Sequence, residues 1–251
     1  MRIQSILILL LALGSIAPCQ AQQTPVLGAD DIIARMLYRN SQREKLQGGY
    51  NGNRRYVLEN AKLNKRAEML VSVNCDPDGT KHFEVASEQG WTSANKHVLR
   101  KMLESESESS RPQVRERTVI NLENYSFQLI GDDTLESRPV YIVEVLPKRE
   151  DKYLFEGRIW VDAEDFALVR AEGKPAKNPS FWIHCVNFVQ VYHKAGAFWF
   201  PVSTESLTDA RIFGKTAVTI TYFDYQPNSL AESAISQMPE VDQTEAKYAH
   251  N

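Results

Sequence analysis

From Tyr125 to Tyr225 the chain alternates large apolar side chains with polar ones. The pattern runs through Tyr125-Phe127-Leu129, Tyr141-Val143-Val145, Ile159-Val161 and Phe198-Phe200-Val202, and closes on Thr216 to Tyr225, where Val218, Ile220 and Tyr222 alternate with Thr219, Thr221 and Phe223. A period of two is the mark of a strand with one buried face. Turn clusters separate the runs at Gly131-Asp132-Asp133, Pro147-Lys148-Arg149, Asp162 to Asp165, Gly173-Lys174-Pro175, Gly196 and Phe213-Gly214. Connections this short join antiparallel neighbours, so this half of the chain predicts six or so long antiparallel strands.

The first half mixes two periods. Ile32, Ile33, Met36 and Leu37 recur at helical spacing behind Ala29-Asp30-Asp31, and Gly48-Gly49 stops the pattern, so a helix is expected to about Leu46. Strands follow over Tyr50 to Asn60, Lys65 to Cys75 and Thr80 to Ser87, the last two joined by Asp76-Pro77-Asp78-Gly79, a hairpin signal. Val98, Leu99, Met102 and Leu103 then return to helical spacing. The acidic, serine-rich Glu104 to Ser110 has little to bury, which predicts a helix fraying into a mobile loop. An antiparallel sheet of this many strands must close into a barrel or curl and cover its open face, and two helices are at hand to cover it.

The ends carry a different signal. Arg2, the apolar run Ile3 to Ala17 and the small residues Cys19 and Ala21 make residues 1–21 a signal peptide cut after Ala21. The run falls short of the roughly 20 residues of a membrane span, and no stable membrane span is expected. Cys19 raises the alternative of lipidation, which Pro18 before it disfavours. A polar leader, 22–28, precedes the domain at 29–227, and the patternless 228–251 is expected to be a disordered tail. The formal net charge of −3, one unit more negative once Arg2 is removed, argues against nucleic acid as a partner. Cys75 and Cys185 remain in an exported chain, either joined as a disulfide or left as two buried thiols.

The chain resembles the outer-membrane lipoprotein-sorting proteins, the LolA/LolB-like group that also includes the N-terminal domain of RseB-type regulators. The resemblance rests on the order of elements from Ala29 to Tyr225 and on Arg66-Ala-Glu-Met69, Tyr153-Leu-Phe-Glu-Gly-Arg-Ile-Trp-Val-Asp162, Ala167-Leu-Val-Arg170 and Phe198-Trp-Phe-Pro201. It implies a mainly β, α+β fold: a strongly curved, unclosed antiparallel β half-barrel covered by helices. It further implies a periplasmic carrier that binds the acyl moiety of a lipoprotein or lipid in an apolar cavity and serves lipoprotein sorting to the outer membrane. The alternative it leaves is an envelope-stress sensor or protein-interaction module of the same lipid-binding fold. RseB-like proteins carry a second domain, and the short stretch after the last strand favours the carrier. Partners would be an acylated lipoprotein or lipid and an envelope protein acting as donor or acceptor.

Alternation nominates a cavity lining of Met69, Val71, Phe83, Val85, Phe127, Leu129, Ile159, Val161, Phe200, Val202, Val218 and Ile220. No catalytic constellation is complete. Ser93-Ala-Asn-Lys96 matches a Ser-x-x-Lys pattern without its companion motifs and reads as a helix first turn, and Gly214-Lys215-Thr216 lacks the glycine-rich lead-in of a phosphate loop. His82, His97, His184 and His193 are too scattered for a zinc site, so no metal or other cofactor is expected. Asp162, Glu164 and Asp165 read as turn residues, while Arg54, Arg55, Arg158 and Arg170 would be solvated strand-edge residues or, alternatively, ties to a lipid phosphate or the helical cover.

Overall fold

The computed structural model describes residues 27–177, 183–210 and 214–228, without the side chains of 183–185 and 210. The expected signal peptide, the leader to residue 26, the His184 and Cys185 side chains and the expected tail beyond Asn228 lie outside it. Helix α1 (Ala29–Gln47) leads into strands β1 (Tyr50–Asn60), β2 (Lys65–Cys75) and β3 (Lys81–Gly90). Helical residues follow as α2 (Thr92–Ala94), a π-helical stretch (Asn95–Leu99), α3 (Arg100–Ser110) and α4 (Pro112–Arg115). The meander β4 (Tyr125–Leu135), β5 (Arg138–Pro147), β6 (Phe155–Asp162), β7 (Leu168–Pro175), β8 (Ile183–Ala195), β9 (Phe198–Ala210) and β10 (Gly214–Pro227) completes the chain, with seven strands where alternation predicted six.

Local chemistry explains most of these boundaries. Asp30 and Asp31 meet the positive end of α1, and Gly48, in the left-handed region at φ 61°, ends it with its N–H on the Glu44 carbonyl. In the β2–β3 turn the Gly79 N–H donates to Asp76 O at 2.9 Å, and the Asp78 carboxylate accepts from the Thr80 N–H at 2.8 Å. Between α4 and β4 the buried Asn124 amide donates to the carbonyls of Glu116 and Val119 and accepts from Arg149, which gives an irregular crossing a fixed shape.

All ten strands form one antiparallel sheet in the order β3-β2-β1-β10-β9-β8-β7-β6-β5-β4. The last strand returns beside the first, so the N-terminal three-stranded unit extends the meander and β3 and β4 remain as edges. The sheet is unclosed but strongly curled. Tyr192 on β8 feels the charges of Lys81 and Glu106 through space, although β8 and β3 stand five strand spacings apart, roughly 24 Å if the sheet were flat.

The registers align one face across the sheet. Met69, Tyr56, Ile220, Thr204, Gln190, Ala171, Ile159, Val143 and Leu129 are successive partners from β2 to β4. Ala67, Leu58, Val218, Ser206, Phe188, Gly173, Gly157, Val145 and Phe127 form the row beside it. Helices cover the two ends of these rows. Ala94, Leu99 and Leu103 pack on β1, β2 and β10, while Ile32, Ile33 and Met36 of α1 pack on β4 to β7.

The expected mobile loop at Glu104 to Ser110 is instead helix. The Ser107 hydroxyl donates to the Lys81 carbonyl at 3.1 Å, the Lys81 N–H donates to the buried Ser110 hydroxyl at 2.9 Å, and Glu106 turns inward. The serines thus occupy backbone groups of edge strand β3, and polar residues that looked unable to bury anything become the docking face of α3.

A candidate lipid-binding face

Ten of the twelve nominated residues share the face that the helices cover: Met69, Phe127, Leu129, Ile159, Val218 and Ile220 stand in the two rows above, Val71 pairs with Val85 and Arg54, Val73 with Phe83, and Val161 with Tyr141. On β9 a register shift between Ser203 and Pro201 interrupts the alternation at Val202, and Phe200 joins the same face through its ring contacts with Tyr50 and Tyr225. Met69, Val71, Val218 and Ile220 belong to the core under α2 and α3, and Ile159 and Val161 to the core under α1. The two covers leave a strip between them on β8 and β9. Its floor is Phe188, Gln190, Tyr192, Thr204 and Ser206, all half-buried. Alternation missed this strip because its side chains are largely polar. Their membership in the face comes only from the ladders that join them to Ile220 and Ile159.

One end of the face is aromatic and charged. Phe200 stacks on Tyr225 at 4.2 Å and meets Tyr50 edge-on at 5.9 Å. Arg54, 2% exposed, lies between the rings of Phe83 and Tyr222 at 5.1 and 4.8 Å. Its guanidinium donates to Glu106 at 2.6 Å, and Lys81 donates to the other oxygen of that carboxylate at 2.7 Å. Burial alone would raise the Glu106 pKa, but the two cations outweigh it and hold it at about 2. Burial would likewise lower the pKa of Arg54 and Lys81; Glu106 outweighs it and both shift upward. Tyr192 and Tyr225 are pushed up by burial, and the Tyr225 hydroxyl is buried without a hydrogen-bond partner.

Arg54 is therefore not a solvated strand-edge residue but ties α3 to the sheet. Arg55 is exposed and pairs with Glu68 at 2.6 Å, Arg158 is exposed, and Arg170 pairs with Glu172 at 3.1 Å while lying over Trp160. At the other rim Asp162 is fully buried. Its carboxylate accepts from the backbone of Glu164 and Asp165, as a turn residue should, and also from Arg138 at 2.5 and 2.9 Å. Asp165 accepts from Trp199 and Lys194, and its carbonyl accepts from Arg43, which fastens the end of α1.

The two cysteines whose pairing the sequence left open stand far apart along the strands. Cys75 is a free, buried thiol whose pKa burial raises. It sits level with Tyr50 and Pro227, whereas Cys185 is level with Asp209 and Lys215, at the opposite end of β10. Lys215 to Pro227 spans roughly 40 Å of extended chain, and a disulfide needs Cα atoms within about 7 Å. Ser93 and Lys96 are exposed on the outer side of their helix. Among the described residues no group of three or more His, Cys, Asp or Glu could hold a metal ion, and no helix is long and apolar enough to cross a membrane.

No family model and no curated protein matches the sequence. Among solved structures, a domain described as outer membrane lipoprotein-sorting protein from Vibrio parahaemolyticus is similar at TM-score 0.42 and 12% identity, over 83% of this chain and 96% of that one. A DUF1329 family protein from Desulfovibrio piger reaches 0.42 and 13% over 82% and 99%. A LolA superfamily protein from Nitrosomonas europaea reaches 0.37 and 11% over 84% and 98%. The resemblance drawn from the sequence thus has counterparts of the same kind among solved structures.

Proposed function

We propose that this chain is an exported, non-catalytic carrier that takes the acyl part of a lipoprotein or lipid onto the concave face of its sheet, acting in the periplasm between an envelope donor and acceptor. The observation that supports the reading most is the half-buried β8–β9 strip between two helix-covered apolar halves. The strip continues, with half-buried side chains, a face that is otherwise core. An acyl chain laid along it would meet Phe188 and extend the contacts that Leu99 and Met36 make on either side. Transfer of each methylene from water is favourable by about 0.8 kcal/mol, so a chain of ordinary length gains useful affinity with few polar contacts.

Native mass spectrometry of protein purified gently from its own envelope, followed by lipid extraction, tests the reading. Near-stoichiometric acyl lipid or acylated peptide is the expected result and names the cargo class. A protein that emerges empty and takes up no fluorescent fatty-acyl probe refutes it.

A further inference from the structure

Arg54 and Lys81 share one carboxylate, that of Glu106, and among the described residues neither has another ion pair. Two cations against one anion leave one positive charge in excess. That charge stands among rings: Phe83 and Tyr222 flank Arg54, and the hydroxyls of Tyr192 and Tyr225 lie within electrostatic reach of the cluster. Glu44, paired with Arg115, and Asp76, beside His82, line the outer part of the same cleft; both carboxylates are about half exposed, 54% and 44%, where water screens them. An uncompensated charge in such surroundings is unfavourable unless an anion joins it.

The cluster is reachable. Lys81 and Glu106 keep 28% and 30% of their side-chain surface open, and a cleft of about 330 Å³ bordered by Tyr50, Lys81, Glu106 and Ser109 leads to them. Lys81 donates one of its three ammonium hydrogens to Glu106, which leaves donors for a second acceptor. We propose that this recess receives the monoanionic head of the acyl ligand, a carboxylate or a phosphodiester, with Lys81 as its direct contact and Arg54 as the fixed charge behind it. The inference rests on the acyl-binding reading above. The tail would lie toward the β8–β9 strip, whose Thr204 hydroxyl is hydrogen-bonded with that of Tyr222 at 2.9 Å.

Titration calorimetry of the exported protein with dodecanoate, dodecanol and acetate, at mildly alkaline pH where carboxylates are ionised, separates the claims. Dodecanoate is expected to bind at least about tenfold more tightly than dodecanol, with the ratio narrowing toward one as salt is raised to about 1 M, and acetate is expected to compete poorly. Lys81→Met should collapse the acid-to-alcohol ratio and Lys81→Arg should retain it. Equal binding of acid and alcohol overturns the head site while leaving the acyl reading intact, and binding of neither overturns both. Acetate as strong as dodecanoate makes the recess a site for free anions and overturns the lipid-head assignment. A ratio retained in folded Lys81→Met overturns the role given to Lys81; if that variant does not fold, the salt dependence of the unaltered protein decides.

Discussion

Replacing Glu106 with Gln isolates what holds α3 against the sheet. Gln retains the shape and one acceptor oxygen but leaves Arg54, 2% exposed, without its counter-ion. Breaking a buried pair from one side costs about 3–5 kcal/mol. Because Glu106 is itself 30% exposed and water can reach the gap, the lower part of the scale applies, about 2–3 kcal/mol. In a domain of this size that lowers Tm by roughly 5–10 °C. Arg54→Met removes the cation and leaves Glu106 with Lys81, and should cost about 1–2 kcal/mol through lost stacking between Phe83 and Tyr222. The double variant Arg54→Met/Glu106→Gln should fall short of the sum by about 1–2 kcal/mol, since each single change already removes the pair. Urea unfolding followed by tryptophan fluorescence gives the energies, and hydrogen exchange of the α3 amides shows where the loss is local. Additivity within about 0.5 kcal/mol, or α3 protection unchanged in Glu106→Gln, refutes the account.

Four further outcomes follow from the same geometry. Glu106 is held at about 2 in the folded state, below its unfolded value, so its contribution is present above the ordinary carboxylate range and is lost as pH falls through the folded pKa; urea midpoints should decline from about pH 4.5 toward 2, and Glu106→Gln should flatten part of that limb. Asp162→Asn places an amide where Arg138 and two backbone N–H groups donate, and should cost about 2–4 kcal/mol in urea unfolding; a loss below 0.5 kcal/mol, on the order of a surface change, contradicts the buried role. Gly157→Ala sets a methyl 2.0 Å from the Glu172 carbonyl oxygen and 2.6 Å from Gly173 Cα, and should lower Tm by several degrees, on the order of 2 kcal/mol or more, in a thermal melt. Ser206→Trp fills the strip between the helices and should weaken fluorescent fatty-acyl binding by about tenfold or more with Tm little changed; unaltered binding would place the ligand elsewhere.

Strand parity was legible from the chain because it is a local property. Side chains two residues apart share a face wherever the strand is placed, so Met69, Phe127, Ile159 and Ile220 could be assigned to one side before their neighbours were known. The α1 boundaries and the Asp76–Gly79 turn were legible for the same reason, since acidic first turns, glycines in the left-handed region and Asx bonds act within a few residues.

Only the tertiary structure decided which strands stand next to each other and what the polar segments meet. Nothing local marks β10 as the partner of β1, and that pairing carries Arg54 and Tyr222 to one recess and sets Cys75 and Cys185 at opposite ends of the sheet. The serines and glutamates of α3 look solvated by composition, and the half-polar strip of Gln190, Thr204 and Ser206 breaks the apolar alternation that identified the rest of the face. Their roles depend on partners far away in sequence: a carboxylate is buried or solvated according to whether a cation meets it, and that meeting is made by the curl of the sheet.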